Sequence, residues 1–165
     1  MIGSLLMAVA LAAGGGSTKG GTADALAKHQ AKALTISVPA AWERKADGDT
    51  EKFVAPSGEA FFTLDVGAVQ TAGMKPKVCL DKILTAMGGD KGWEKVSLGA
   101  NPAARKVDVD NVNEEGSLKV MSIHYVGCNG KTTWSLIFSL NEEKKDRFEP
   151  LAAKIAQSVS YAKGK

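Results

Sequence analysis

The chain has 165 residues, 44% of them hydrophobic, which suits one globular domain of ordinary size. Twenty-one basic residues against eighteen acidic ones give a net charge of +3, with the lysines spread along the sequence. Composition excludes wholesale disorder, and so diffuse a charge leaves no electrostatic footprint for nucleic acid.

The N-terminal stretch "MIGSLLMAVALAAGGGSTKGG" opens with an apolar run too short to span a bilayer as a helix, for which about 20 residues are needed. Its length and small-residue ending are those of a secretory signal peptide, although no Lys or Arg precedes Lys19. Leu11-Ala12-Ala13-Gly14 also resembles a bacterial lipoprotein signal. Gly14 stands where the lipidated cysteine belongs, and glycine has no thiol to acylate. The segment predicts an exported protein of the periplasm or cell envelope, with membrane tethering only through this N-terminal region. The competing reading is a flexible apolar tail on a cytosolic protein. Residues 14–21 have the composition of a tether. "TADALAKHQAKA" reads either as a short helix or as more tether, with His29 in solvent. The organisation expected is therefore a signal-like segment and tether over 1–33 and a folded domain over 34–165.

Alternation starts at Leu34, Ile36 and Val38, a strand that Pro39 ends because proline cannot continue the donor ladder. Two further strands flank Pro56-Ser57-Gly58, and in the second Phe62, Leu64, Val66 and Ala68 share a face. The period then becomes helical, with Leu80, Ile83, Leu84 and Met87 in a stripe that Gly88-Gly89 stops. "EKVSLGA" reads as another strand. Over 104–141 a three-residue loop, Glu114-Glu115-Gly116, pairs Val109 with Met121 and Val107 with Ile123. A two-residue Asn129-Gly130 turn pairs Cys128 with Lys131, Tyr125 with Trp134, Ile123 with Leu136 and Met121 with Phe138. Leu151, Ala152, Ile155, Ala156 and Val159 mark a closing helix that starts just before Pro150, since proline is tolerated only in a first turn. Strands in a meander with two amphipathic helices predict an α+β fold: an antiparallel sheet of about six to seven strands flanked by helices.

No residue set specifies a reaction. Cys79, near the start of the middle helix, and Cys128, at the hairpin tip, fit one disulfide in an exported chain, and two free thiols are the alternative. Such a bond would add on the order of 3–4 kcal/mol. A catalytic thiol needs a base, but His124 lies roughly 13 Å from Cys128 along the strand. Two cysteines and two scattered histidines do not assemble a zinc site. "DVDNVNEEG" fails as a calcium loop because Val112 takes an oxygen-donor position and Asp108 and Asp110 belong to a strand. "LAAGGGSTKGG" lacks the Gly-Lys-Ser/Thr ending of a phosphate loop. Trp42, Trp93 and Trp134 could floor a ligand pocket, but Trp134 is explained by core pairing. No catalytic, metal or cofactor residues are assigned.

The order of elements resembles the PsbP-like, or DcrB-like, domain superfamily over about residues 34–161. Ser37, Val38, Pro39 and Trp42 match its Ser-hydrophobic-Pro-x-x-Trp opening, and Gly99 and Ala103 match a Gly-x-x-x-Ala element. "FVAPSGEAFFTLDV" and the closing "IAQSVSY" complete the likeness. The superfamily includes the PsbP subunit of photosystem II, a eukaryotic Ran-binding import factor and bacterial envelope proteins such as DcrB. The resemblance implies an α/β/α sandwich that acts by binding rather than catalysis, with no functional residue set to carry over. The expectation is a non-catalytic cell-envelope protein that binds a protein partner or a small ligand, without nucleic acid or cofactor. A cytosolic DcrB-like chaperone for secreted effectors and an enzyme with a dispersed site are the alternatives.

Overall fold

A computed structural model describes residues 24–70, 73–113 and 115–162. The signal-like segment, its Gly14 and the glycine-rich stretch lie outside the described residues, as does Glu114.

The main sheet is antiparallel and has seven strands: β3 (Glu43–Asp47), β4 (Thr50–Val54), β5 (Ala60–Ala68), β6 (Glu94–Leu98), β7 (Asn101–Asn111), β8 (Lys119–Cys128) and β9 (Thr132–Asn141). Their spatial order is β3-β4-β5-β9-β8-β7-β6. Helix α1 (Pro76–Ala86) packs on β7 and β8 from one side. Helix α2 (Lys145–Gln157) and a three-stranded sheet of β1 (Leu26–Ala31), β2 (Leu34–Pro39) and β10 (Ser160–Tyr161) cover the other. This is the α+β architecture that the alternation predicts, with the small second sheet added.

Burial follows the alternation. Phe62, Leu64 and Val66 of β5 and Trp134, Leu136, Phe138 and Leu140 of β9 point into one core with Trp42, Phe148 and Ile155. Ala68, the last residue of the β5 stripe, is exposed at the strand end. A smaller cluster of Leu80, Leu84, Ala104 and Val126 sits under α1, while Met87 at its end is exposed. Gly88 and Gly89, at φ 97° and 106°, stop that helix as expected.

Three expectations are corrected. First, Leu26–Ala31 is neither helix nor tether but strand β1, paired along its length with β2. His29 is accordingly not free in solvent: its ring meets Phe53 edge-on, and Nε2 lies 2.7 Å from a Glu51 carboxylate oxygen. Second, α2 begins at Lys145, so Pro150 lies inside it. A 3₁₀ turn, Glu142–Lys144, precedes the helix, and the Asn141 side chain caps that turn by accepting from the Glu143 N–H. Pro150 leaves only the Asp146 carbonyl without its helical donor.

The third correction concerns register. The β7–β8 ladder pairs Val109 with Met121 and Val107 with Ile123, as expected, although it stops at Asn111–Lys119 and the loop exceeds three residues. The Asn113 side chain closes that loop, accepting from the Leu118 N–H. In β8–β9, however, Tyr125 faces Leu136, Ile123 faces Phe138, Met121 faces Leu140 and Cys128 faces Thr133, a slip of two residues. An even slip keeps every side chain on its expected face. Two features set it. The Asn129 side chain accepts from the N–H groups of Lys131 and Thr132, enlarging the turn. Trp134 lies over Gly127, where a Cβ would meet the indole at 2.6 Å. The indole needs a partner with no side chain, and Gly127, not Tyr125, provides it. Its Nε1–H donates instead to the Tyr161 hydroxyl of β10 at 2.9 Å.

Candidate functional site

Arg105 occupies an unusual place. On β7 it shares the inward face with Ala103 and Val107, directly opposite Tyr125 on β8. Helix α2 packs on β8 and β9, and β7 and β6 lie beyond it towards the sheet's end. A cleft of about 530 Å³ opens there, floored by Val96, Leu98 and Tyr125 and walled by Asp146, Glu149 and Pro150 of α2. The Arg105 guanidinium crosses it, with Nη2 2.6 Å from a Glu149 oxygen and Nη1 4.0 Å from Glu94. Burial works against its charge, but Tyr125 and Glu149 more than offset this, so its pKa stands above the ordinary arginine value. A fixed cation in a half-buried, partly apolar cleft orients a ligand or a partner's polar group. The sequence carried one signal for it, a charge on an otherwise apolar strand face.

The sequence candidates fall elsewhere. The Cys79 and Cys128 sulfurs are bonded, 1.96 Å apart, tying the fourth residue of α1 to the end of β8. Cys128 points away from the Trp134 face, towards α1, and both residues are buried. Because the sulfurs are joined, neither offers a thiolate to His124. That histidine lies further along the same face, its ring edge-on to half-buried Trp93 with centroids 6.2 Å apart. Its Nε2 is 3.8 Å from Asp108, which Lys106 also approaches at 3.1 Å. Asp108 is thus part of a strand face with local ion pairs. Among the described residues no group of three His, Cys, Asp or Glu side chains is placed to hold a metal. Trp42 is packed between Phe62, Phe138 and Phe148 in the core.

Burial, followed by the nearby Lys106 charge, lowers the His124 pKa against the opposing pull of Asp108. The folded protein therefore binds this proton less readily than the unfolded chain. The stability contribution is complete above the unfolded value of about 6.5 and is lost as pH falls from there towards the lower folded value. Thermal unfolding between about pH 7.5 and 5.5 should show a falling midpoint that flattens in His124→Gln. An unchanged slope in that variant would remove His124 as the cause.

No family model and no curated protein matches the sequence. Solved structures do match the fold. One from Bacteroides thetaiotaomicron VPI-5482 superposes with a TM-score of 0.61 at 14% identity, covering 79% of this chain and 46% of that one. The chain therefore spans about half the length of that structure. Cyanobacterial PsbP (CyanoP) from Synechocystis sp. PCC 6803 superposes at 0.54 with 11% identity, covering 88% of this chain and 98% of that one. A mutant of the protein Mog1 superposes at 0.52 with 9% identity, covering 84% and 96%. The superposition thus extends over nearly the whole of both smaller proteins. By backbone superposition and extent, the chain has the PsbP-like fold.

Proposed function

We propose that the protein is a non-catalytic binding module, exported to the cell envelope, and that the cleft between α2 and the β6–β7 end of the sheet meets its partner. The observation that carries this reading is Arg105, held by Glu149 beside Tyr125 at the floor of an open cleft on a PsbP-like fold. A charge kept at an inward strand position costs stability unless paired, and the pairing leaves it aimed into accessible space. The Cys79–Cys128 bond favours export over the cytosolic-chaperone alternative, because structural disulfides persist in oxidising compartments. The signal-like N-terminal stretch points the same way.

The test is expression of the full chain in a Gram-negative bacterium, with a photo-crosslinking residue at Ala153 on the cleft wall and, separately, at Ala46 on the far sheet edge. The reading expects periplasmic protein trimmed near residues 13–15 and crosslinked products specific to Ala153 that Arg105→Ala depletes. Cytosolic protein retaining Met1, or equal products from both positions, would overturn it.

A further inference from the structure

We propose that the corner of the domain formed by α1 and the β8–β9 turn docks on the surface of an anionic bilayer, with Val78 inserted and lysines on the headgroups. This corner lies across the sheet from the Arg105 cleft, so the two readings stand or fall separately. The sequence already segregates charge: no Asp or Glu occurs between Asp65 and Asp81, or between Glu115 and Glu142. The fold brings parts of these two acid-free stretches together. The Val69 N–H donates to the Lys131 carbonyl at 2.7 Å, and Gly130 lies directly against the Met74 carbonyl. Lys75, Lys82 and Lys131 are exposed at this corner, and among the described residues none of them makes an ion pair. Asp81, the neighbour of Lys82, is turned to the other flank of α1, where it holds Lys95 at 2.8 Å. The opposite end of the sheet differs. There Lys144 meets Glu59 at 3.4 Å and Lys145 meets Glu142 at 3.0 Å.

The corner is apolar as well as basic. Lys75, Val78 and Lys82 follow at helical spacing and share one face of α1, where Val78 is 46% exposed. Beside that face a crevice of about 240 Å³ runs between α1 and the sheet, lined by Val69, Met74, Lys82, Ile83, Ala86 and Thr133. No described acidic residue lines it. Anionic headgroups attract lysines, whose long stems keep the ammonium in water while neighbouring apolar side chains enter the acyl boundary. An acidic protein would have to match this corner in rigid shape. A fluid bilayer takes up Val78 and fills the crevice without such a match. Residues 66–80 and 129–133 contain no arginine and no aromatic ring on which nucleic-acid bases could stack.

The test uses the full oxidised chain and vesicles of phosphatidylcholine, alone or with an equal part of phosphatidylglycerol. Cosedimentation should favour the phosphatidylglycerol vesicles, and each of Lys75→Gln, Lys82→Gln and Lys131→Gln should weaken that binding about fivefold. All three positions are exposed, so the variants keep the fold. Insertion is read separately, by quenching of an added indole with brominated acyl chains, measured against the unsubstituted chain. Val78→Trp should be quenched, and Val109→Trp, exposed towards the far end of the sheet, should not. Equal binding to both vesicle types, or binding unchanged in the lysine variants, would leave only the apolar N-terminal stretch to hold the membrane and would overturn the proposal. Quenching of both indoles would overturn the orientation and the proposal with it. Lysine-dependent binding with an unquenched Val78→Trp would do the same, marking the corner as a contact for an acidic surface without acyl insertion.

Discussion

Replacing Gly130 with alanine is expected to destabilise the protein by about 3 kcal/mol, as much as emptying a core position. Two effects combine. Gly130 has φ +88°, a left-handed conformation that costs an L-residue about 1–2 kcal/mol. A Cβ there would also lie 1.9 Å from the Met74 carbonyl oxygen, which is backbone and cannot swing away. The segment entering α1 therefore rests directly on the hairpin tip, and alanine would push the two apart beside the disulfide. Gly58→Ala isolates the first effect, because Gly58 has φ +71° with nothing within 4 Å of the added atom. Its loss should be about 1 kcal/mol. Urea unfolding of the oxidised protein checks both, and equal losses in the two variants would remove the close-approach argument.

Loss of the Cys79–Cys128 bond should be comparably severe. The bond closes a loop with a sequence separation of 49, and chain entropy alone assigns it about 4 kcal/mol. It is also the covalent link between α1 and the sheet, whose apolar contact there is the small cluster of Leu80, Leu84, Ala104 and Val126. Cys79→Ala/Cys128→Ala is expected to lose about 3–4 kcal/mol in urea unfolding, with α1 the first element to lose exchange protection. Because Cys79 and Cys128 are only 3% and 0% exposed, native protein should resist reductant until denatured. Thiol counting in denaturant without reductant should find none, and two reactive thiols would remove the bond.

Much of this fold is legible from the sequence because apolar alternation dictates which face of a strand is buried. Phe62–Val66, Val107–Val109 and Met121–Tyr125 were assignable to faces on that ground alone. What alternation cannot fix is an even slip. Tyr125 against Trp134 and Tyr125 against Leu136 satisfy the same binary pattern, and the choice turns on Gly127 and the Asn129 side chain. Strands β1, β3 and β10 were invisible for a related reason. Glu43–Asp47 buries nothing, Leu26–Ala31 buries only Ala31 fully, and Ser160–Tyr161 is two residues long. The early start of α2 was hidden because Pro150 outweighed the Asn141-Glu142-Glu143 capping signal. The cleft depends on Arg105 and Glu149, forty-four positions apart, meeting across two elements. A lone arginine on an apolar strand face could have flagged it, but its partner emerges only from the packing of α2 on the sheet.

The small sheet has a consequence for how the chain matures. Strand β2 takes hydrogen bonds from β1 on one side and β10 on the other, and the Ser37 N–H donates to the Ser158 hydroxyl 121 positions away. Trp42 likewise waits for Phe148. During vectorial emergence from a ribosome, the first strands cannot finish their layer until residues 158–161 arrive. Such late closure of long-range contacts slows folding, and the small sheet forms only after α2 has emerged.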